Sequence, residues 1–346
     1  EEATRKQAVD LLRNTITDVI ASTVPSGLSR FQAPIVIVPV GSYGLGVWTS
    51  SSDLDILCIG PFSTQTFFAL VTRALRKVPP QDIKIIRRVR ANTGTMLELE
   101  IHGIKTDLQY CPATTIAERW GDVLRTAPND PVWDLSPQSL LKLKAVRDMD
   151  YLRRTVPNIR VFRAANRAIR AWAKARGVYT SRFGFLSGIQ IAILVARVAK
   201  LLANNPDVKT PITVEDFLVT FFTHYASFPW STHLAFDPFF HRNRLPYNRV
   251  PFREPIAILG YFPPALNTAA AASPSSARTL ADEFRRAGEA LVSGNVTDWA
   301  FFLSGTGSNG TTGVQEFLSA YKTYIRLDAS YWGLSRSRGS QFLGWL

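Results

Sequence analysis

The chain has 346 residues, of which 46% are hydrophobic, and its formal net charge is +13. A sizeable core can therefore be buried, which excludes the disordered and fibrous classes. The sequence contains no run of about 18 apolar residues, so no membrane span is predicted. The positive charge favours a polyanionic partner, although a basic surface kept for solubility would give the same balance.

The first third of the chain alternates between predicted helices and strands. Apolar residues spaced near 3.6 predict an N-terminal helix that ends at residues 25–27, and residues 65–78 predict a helix capped by Ser63 or Thr64. Five strands are predicted, at residues 35–40, 53–59, 83–89, 95–101 and 105–111. A tight turn is predicted at residues 102–103. This pattern indicates a mixed α/β (α+β) domain.

The rest of the chain is mainly helical. Residues 159–176 and 185–202 predict two helices, of which the second is apolar nearly all round and therefore buried. Residues 277–291 predict another helix, capped by Ser276. The glycine-rich segment 305–313 predicts a linker before a final element.

The clearest chemical signal is the segment GSYGLGVWTSSSDLDILCIG, at residues 41–60. Gly41 and Ser42 follow a predicted strand, where a Gly-Ser turn lets backbone N–H groups and a hydroxyl approach a triphosphate closely. Asp53 and Asp55 lie at positions i and i+2 of the next strand, so both point to the same face. Such paired carboxylates suit Mg²⁺, and two ions about 3.5–4 Å apart can activate a hydroxyl and stabilise leaving pyrophosphate.

A two-metal site needs a further ligand, and Asp107 is the best candidate. In KTDLQYC, Asp107 shares one face with Lys105 and Gln109, while apolar residues fill the other face. An isolated D-x-D pair is most often an ordinary strand end. The order strand, Gly-Ser, spacer, D-x-D and later Asp is far more specific. We therefore assign Asp53, Asp55 and Asp107 as catalytic ligands of Mg²⁺ or Mn²⁺.

The predicted helix at residues 159–176 carries a basic stripe. Its members are spaced so that they share one face: Arg163, Arg167, Arg170 and Lys174. Apolar residues occupy the opposite face. A solvated surface would explain a lone basic stripe, but beside three Asp residues a triphosphate or RNA contact is favoured, and we assign Arg163 and Arg167 to RNA. A second basic cluster, at residues 84–90, fits a solvated strand edge as well as it fits RNA.

These motifs together resemble the eukaryotic nuclear-type poly(A) polymerases of the polymerase β nucleotidyltransferase superfamily. That family's version of the first motif runs GSYRLGVHT, a short spacer and D-I-D. Residues 156–201 are similar to its middle-domain core, residues 252–269 to the next segment, and residues 317–330 to the entry of its RNA-binding domain. The resemblance spans nearly the whole chain, in the family's order.

The resemblance implies a three-part organisation. A polymerase β-like nucleotidyltransferase domain is expected at residues 1–130, with a first helix that could also pack on the next domain. A helical middle domain is expected at residues 131–313. Residues 314–346 are expected to begin an RNA-binding domain that is cut short, so we expect the chain to be a fragment.

Family roles carry over where positions match. Asp53, Asp55 and Asp107 match the metal-binding triad. The nucleotide-binding positions are Gly41, Ser42, Arg170, Lys174 and Tyr179. Arg170 stands where the family has a triphosphate-binding lysine, and an Arg fork is not a Lys point charge. Three further departures concern nucleotide preference and primer handling: Gly44 for an Arg, Ser181 for an Asn that usually follows the Tyr, and Lys144 for an Asn that contacts ribose or RNA.

The resemblance implies a template-independent adenylyltransferase that adds AMP from ATP to RNA 3′ ends. Its expected partners are the RNA 3′ end, ATP and 3′-end processing proteins, with no membrane, and its expected location is the nucleus, with the cytoplasm as the alternative. Two rival functions stay open. One is a related terminal nucleotidyltransferase with another donor or acceptor, such as a uridylyl-adding enzyme, and the other is a catalytically silent RNA-binding protein.

Overall fold

The structure is a computed structural model that describes residues 1–23, 34–91, 94–208, 212–242, 247–293, 302, 323 and 328. Contacts divide the chain into two units, residues 1–297 and residues 298–346. The predicted helix end at residues 25–27 and the linker at 305–313 lie outside the described residues. So does the predicted RNA-binding segment at 314–346, apart from residues 323 and 328. The predicted boundary at residue 130 stays a prediction.

The first part of the described chain alternates helices and strands, as predicted. Its elements are α1 (Glu2–Thr23), β1 (Val36–Val40), α2 (Gly41–Leu45), β2 (Leu54–Gly60), α3 (Thr64–Leu75), β3 (Ile83–Ala91), β4 (Gly94–Ile101) and β5 (Ile104–Pro112). Ser63 caps α3 by accepting the Thr66 N–H. All five predicted strands are confirmed, and β2 begins one residue after Asp53.

The second part is helical. Its helices are α4 (Thr114–Glu118), α5 (Trp120–Val123), α6 (Pro137–Thr155), α7 (Ile159–Ala175), α8 (Gly188–Ala203), α9 (Val214–Ala226) and α10 (Pro274–Val292). The buried helix predicted at residues 185–202 is confirmed as α8. The predicted cap of α10 is wrong: Ser273 caps the helix by accepting the Ser276 N–H, because Pro274 already occupies the first helical position. No helix among the described residues is long and apolar enough to cross a membrane.

One mixed sheet holds the five strands in the order β1-β2-β5-β4-β3. The pair β2–β5 is parallel, and the other three pairs are antiparallel. Helices α1 and α3 cover one face, where Phe67 stacks on Tyr110 with 3.9 Å between ring centroids. The first helix therefore packs on the sheet beside α3. Helix α6 contacts β1 and β5, and its Ser139 carbonyl accepts from Cys111 on the opposite face.

The turn between β4 and β5 is confirmed at His102 and Gly103. Both residues have positive φ, 48° and 77°, as a two-residue hairpin turn of this type requires. A tight turn fixes the register of the strands that it joins. Asp107 on β5 consequently lies opposite Glu98 on β4.

The helical part packs around aromatic side chains. Trp172 of α7 is buried and stacks on Phe284 of α10 at 5.5 Å, while Phe222 of α9 meets its ring edge-on at 4.7 Å. Asn158 caps α7 by accepting the N–H groups of the first turn. The apolar face predicted for α7 is therefore confirmed, and it leaves the basic face of the helix toward α2.

Candidate active site

Two carboxylates come together in the middle of the sheet. Asp55 on β2 and Asp107 on β5 are direct register partners, so both side chains lie on the face opposite α1 and α3. Asp53 immediately precedes β2 and is exposed, and its charge acts on both of the other carboxylates. The structure thus brings Asp55 and Asp107 together and leaves Asp53 beside them, at the solvent side.

Burial and the charges of neighbouring carboxylates raise the pKa of both Asp55 and Asp107. Burial, then the charges of Asp107 and Asp53, raises the pKa of Asp55 to about 6. Burial, then the charges of Glu98 and Asp53, raises the pKa of Asp107 to about 6, against the opposing charges of two basic side chains, of which Arg87 is the stronger. Carboxylates that ionise this reluctantly gain from a cation placed between them.

The donor atoms here suit a hard divalent cation, because all of them are carboxylate oxygens. Within the described ranges, no three His, Cys, Asp or Glu side chains converge closely enough to enclose a metal ion unaided. Magnesium sites that handle phosphates commonly use one or two carboxylates and complete the shell with substrate oxygens and water. Asp55 and Asp107 fit that role, and the assignment of Asp53 as a third ligand stays a proposal.

A third carboxylate on the same face extends the pair. Glu98 lies directly opposite Asp107, so Asp55, Asp107 and Glu98 form a line across three strands, called here the carboxylate row. Arg87 binds both oxygens of Glu98, from Nε at 2.6 Å and from Nη2 at 2.8 Å. Sequence reasoning missed Glu98. Counting outward from the predicted turn at residues 102–103 would have placed it opposite Asp107.

A pocket of about 470 Å³ opens beside Asp55. Four of the five predicted nucleotide-binding residues line it, namely Gly41, Ser42, Arg170 and Tyr179. Lys174 lies at its edge, with Nζ 5.4 Å from the centre of the Tyr179 ring. Apolar side chains from α6 and α8 make up much of the remaining wall, as in pockets that bind the flat part of a ligand.

Glycines bring the backbone of α2 close to its neighbours. Gly41 has φ of 61°, and a Cβ there would overlap a carboxylate oxygen of Asp55. A Cβ at Gly44 would overlap the sulfur of Met149 and lie within 2.5 Å of the Pro39 carbonyl oxygen. The arginine that the family resemblance places at position 44 therefore has no room here, because α6 occupies that space.

Two arginines of the basic stripe hold the loop that follows α2. Arg170 is 9% exposed, and its Nη1 donates to the Val47 carbonyl at 2.9 Å. Its Nε is buried and has no hydrogen-bond partner within the described residues. Arg163 donates from Nε to the Leu45 carbonyl at 3.1 Å. These two residues position the Gly41–Ser42 turn as well as presenting charge.

The other two members of the stripe, Arg167 and Lys174, are exposed. They lie on the same helical face as Arg170, so the stripe runs from the wall of the pocket out to solvent. That arrangement suits a polyanion that enters the pocket at one end. It assigns neither residue to nucleotide or to RNA.

A buried ion pair lies at the pocket wall, and one of its two members, Asp148, was not identified from the sequence. Lys144 lies 3.1 Å from Asp148 and donates to the Phe262 carbonyl at 2.6 Å, and the Phe262 N–H donates to Asp148 at 3.2 Å. Burial raises the pKa of Asp148, and the charge of Lys144 opposes that shift. The pair offers the pocket one donor and one acceptor. Its i, i+4 spacing was the signal for Asp148.

Two known protein families match parts of this chain. The family described as nucleotidyltransferase domain matches residues 23–112, and the family described as poly(A) polymerase central domain matches residues 161–300. The chain belongs to the poly(A) polymerase family of nucleotidyltransferases. The carboxylate row and α2 lie in the first match, and the basic stripe lies in the second.

Individual relatives agree with this assignment. Nuclear poly(A) polymerase 1 of Arabidopsis thaliana is 28% identical over 95% of this chain and 46% of its own length. Poly(A) polymerase of Dictyostelium discoideum is 27% identical over 90% of this chain and 37% of its own length. The chain thus spans less than half the length of these curated relatives. The fold is shared with the Cid1 poly(U) polymerase in its MgATP-bound form, with a TM-score of 0.58, 14% identity, and coverage of 87% and 92% of the two chains.

In this poly(A) polymerase family member, residues 113–160 lie between the two matched regions. That interval contains α6, which carries Lys144 and Asp148. The part of the pocket wall that α6 supplies therefore lies between the two matched regions.

Proposed function

We propose that the chain is a polynucleotide adenylyltransferase, which transfers AMP from ATP to an RNA 3′ end. The observation that supports this most directly is the Asp55–Asp107 register pair, which borders the pocket that also contains Gly41, Ser42 and Arg170. A carboxylate beside the closely approaching backbone of Gly41, with the cation Arg170 in the same pocket, suits a nucleoside triphosphate. Its α-phosphate would lie at the carboxylates and its outer phosphates near Arg170.

In the proposed reaction, the RNA 3′-oxygen attacks the α-phosphorus and forms a new P–O bond. The bond from that phosphorus to the bridging oxygen breaks, and pyrophosphate leaves with its electron pair while the hydroxyl proton passes to water. Divalent cations, when bound, supply positive charge to the attacking and leaving oxygens. Asp55 and Asp107 would hold them, with Asp53 as the proposed third ligand.

The remaining residues bind and orient substrates. Ser42 and Arg170 would bind the triphosphate, and Lys174 and Tyr179 would position the nucleotide. Arg163 donates from Nε to the Leu45 carbonyl, and its Nη groups have no hydrogen-bond partner among the described residues. Those Nη groups could bind RNA phosphate, and so could the exposed Arg167. Substitution of Lys174 and of Arg167 tests two of these proposed roles.

Uridylyl transfer is the second candidate. Lys144 and Asp148 give the pocket one donor and one acceptor, and the bases of ATP and UTP each present a matching acceptor and donor. The likeness to the Cid1 poly(U) polymerase concerns the fold alone. ATP is therefore preferred on the strength of the family match, and the base must be decided by experiment.

The deciding experiment is extension of a 5′-labelled RNA oligonucleotide with each of the four NTPs separately, in Mg²⁺ and in Mn²⁺. We expect efficient extension with ATP and none by the Asp107→Asn variant. Preferential extension with UTP would replace adenylyl by uridylyl transfer. Binding of RNA without extension by any NTP would favour the silent RNA-binding protein.

A nuclear location and contacts with 3′-end processing proteins belong to the same proposal. The name of the Arabidopsis relative supports the first, and family resemblance alone supports the second. Fluorescence microscopy of the full-length protein, tagged in its own cells, tests the location. Purification of the same tagged protein, with and without nuclease, tests for partners that do not depend on RNA.

A further inference from the structure

The edge strand β3 contains an irregularity beside the carboxylate row. Ile85 pairs with Leu99, and the next pair is Arg87 with Glu98, so Ile86 is an extra residue in β3. In a regular strand, alternation would place Arg87 on the face covered by α3. The bulge turns Arg87 to the face of the carboxylate row, and bulges of this kind recur beside active sites, where they re-aim one side chain.

Glu98 then fixes the orientation of Arg87. Two parallel hydrogen bonds of 2.6 and 2.8 Å join the guanidinium to both carboxylate oxygens. A bidentate pair of this geometry is specific in direction as well as strong. The guanidinium has five N–H donors and uses two of them on Glu98, and the Arg87 side chain is 46% exposed. An oriented cation with free donors therefore lies at the end of the row.

The position of Arg87 separates it from the nucleotide pocket. The described lining of that pocket includes Asp55 but no residue of β3, β4 or β5. Arg87 lies two strands beyond Asp107 on the other side, or about 10 Å away at about 4.8 Å per strand. The carboxylate row thus has a nucleotide side at Asp55 and an open, cationic side at Arg87.

We propose that Arg87, turned by the bulge and held by Glu98, binds a phosphodiester of the RNA primer just upstream of its 3′ end. The inference rests on the proposed function, since the 3′-oxygen must reach the carboxylates from the side that the nucleotide leaves open. A guanidinium fork suits a phosphate. The other source of the same chemistry is the triphosphate or released pyrophosphate, and the placement of Arg87 away from the pocket favours the primer.

The experiment compares Arg87→Gln with Arg88→Gln in the full chain. Arg88 is the matched control, because it is an exposed neighbour on the opposite face, over the ring of Phe68 at 5.6 Å. The dissociation constant of a labelled RNA is measured by fluorescence anisotropy over a salt series. We expect Arg87→Gln to weaken RNA binding about fivefold, as loss of an exposed charge contact does. The log–log salt slope should fall by about 0.7. Arg88→Gln should change neither.

Kinetics distinguish the source of the phosphate. In Arg87→Gln the KM for primer should rise while the KM for ATP and inhibition by pyrophosphate stay unchanged, and Arg87→Lys should recover part of the loss. A change confined to the KM for ATP or to pyrophosphate inhibition would overturn the primer assignment. Unchanged RNA binding and an unchanged primer KM would also overturn the primer assignment, because Arg87 and Glu98 would then be only a structural surface ion pair. RNA binding that depends on Arg87, without extension by any NTP, would sustain the inference and defeat the proposed function.

Discussion

Asp55 lies directly opposite Asp107 across the parallel strand pair β2–β5. Parallel neighbours are joined only by long connections, so this pairing brings together two carboxylates from distant parts of the chain. Burial raises the pKa of both carboxyls, and the charge of Asp107 raises that of Asp55 further. The ionised pair therefore lowers the free energy of unfolding unless it binds a cation. Separate predictions follow for catalysis and for stability.

The catalytic prediction concerns removal of one charge. Asp55→Asn and Asp107→Asn should each lower the rate of primer extension roughly 10³-fold or more, because several kcal/mol of charge stabilisation depend on the bound ions. RNA affinity should stay within about twofold, since basic side chains supply it. Single-turnover extension and fluorescence anisotropy measure the two quantities.

The control for that experiment is Glu100→Gln. Glu100 lies on the same sheet face as Asp107 but outside the carboxylate row, opposite Lys105. Its variant should extend RNA at nearly the original rate. A folded Asp107→Asn protein with normal extension would remove Asp107 from the site and leave the carboxylate row without a catalytic role.

The stability prediction follows from the raised pKa of Asp55, about 6 against an ordinary value of 3.8. The folded state binds this proton more tightly than the unfolded state, so its stabilising effect is present below about pH 4 and is lost as the pH rises to 6. Asp55→Asn removes the charge. In EDTA at pH 8 it should raise the free energy of unfolding by about 1–2 kcal/mol, after discounting for partial exposure.

Urea denaturation at pH 4 and pH 8 measures this difference. At pH 4 the variant and the original protein should be nearly equal in stability, and added Mg²⁺ at pH 8 should stabilise the original protein more than the variant. The control is Asp122 on α5, an exposed carboxylate that pairs with Arg119. Asp122→Asn should change the free energy of unfolding by less than about 0.5 kcal/mol at either pH. Destabilisation of Asp55→Asn at pH 8 would mean that Asp55 supports the fold instead of straining it.

A third prediction concerns the contact between α2 and α6. Gly44→Ala should lower the free energy of unfolding by about 1–3 kcal/mol, because the new Cβ overlaps Met149 and the Pro39 carbonyl. It should also raise the KM for the nucleotide, since α2 carries Ser42. Gly121→Ala in α5 is the control, because nothing lies within 4 Å of its Cβ. An equal response of both variants would exclude the overlap as the cause.

Local patterns were enough to predict much of the fold and part of the site. Strand alternation and the turn at residues 102–103 fixed both the face of Asp107 and the register of β4 against β5. The 3.6-residue periodicity separated the two faces of α7, and the apolar content of α8 indicated its burial. These features depend on residues close together in the chain, so one sequence contains the information.

Other features depend on contacts that no local pattern specifies. The parallel pairing of β2 with β5 and the extra residue Ile86 in β3 are set by neighbours across the sheet. Helix α6 buries Arg147 and Asp148, which breaks the apolar periodicity by which it could have been recognised. The Arg147 guanidinium lies between the rings of Trp133 and Phe262, at 3.6 and 4.0 Å from their centres, and these partners are distant in sequence.

The last prediction separates the two faces of α7. Lys174→Ala should raise the KM for ATP and slow extension, because an exposed charge beside Tyr179 is lost, while the fold stays intact. Trp172→Ala should instead lower the free energy of unfolding by about 3–5 kcal/mol, because a buried ring stacked on Phe284 is replaced by a cavity. Circular dichroism melts and steady-state kinetics on both variants give the comparison.

A matched control strengthens that comparison. Arg167→Ala removes an exposed charge from the same face of α7, about two turns nearer the helix start than Lys174. It should weaken RNA binding and leave the KM for ATP unchanged, because Lys174, and not Arg167, is the member of the stripe that lies over Tyr179 of the pocket lining. If Arg167→Ala and Lys174→Ala raised the KM for ATP equally, the stripe would act only as a diffuse positive field. If Lys174→Ala unfolded the protein and Trp172→Ala did not, the faces of α7 would be assigned in reverse.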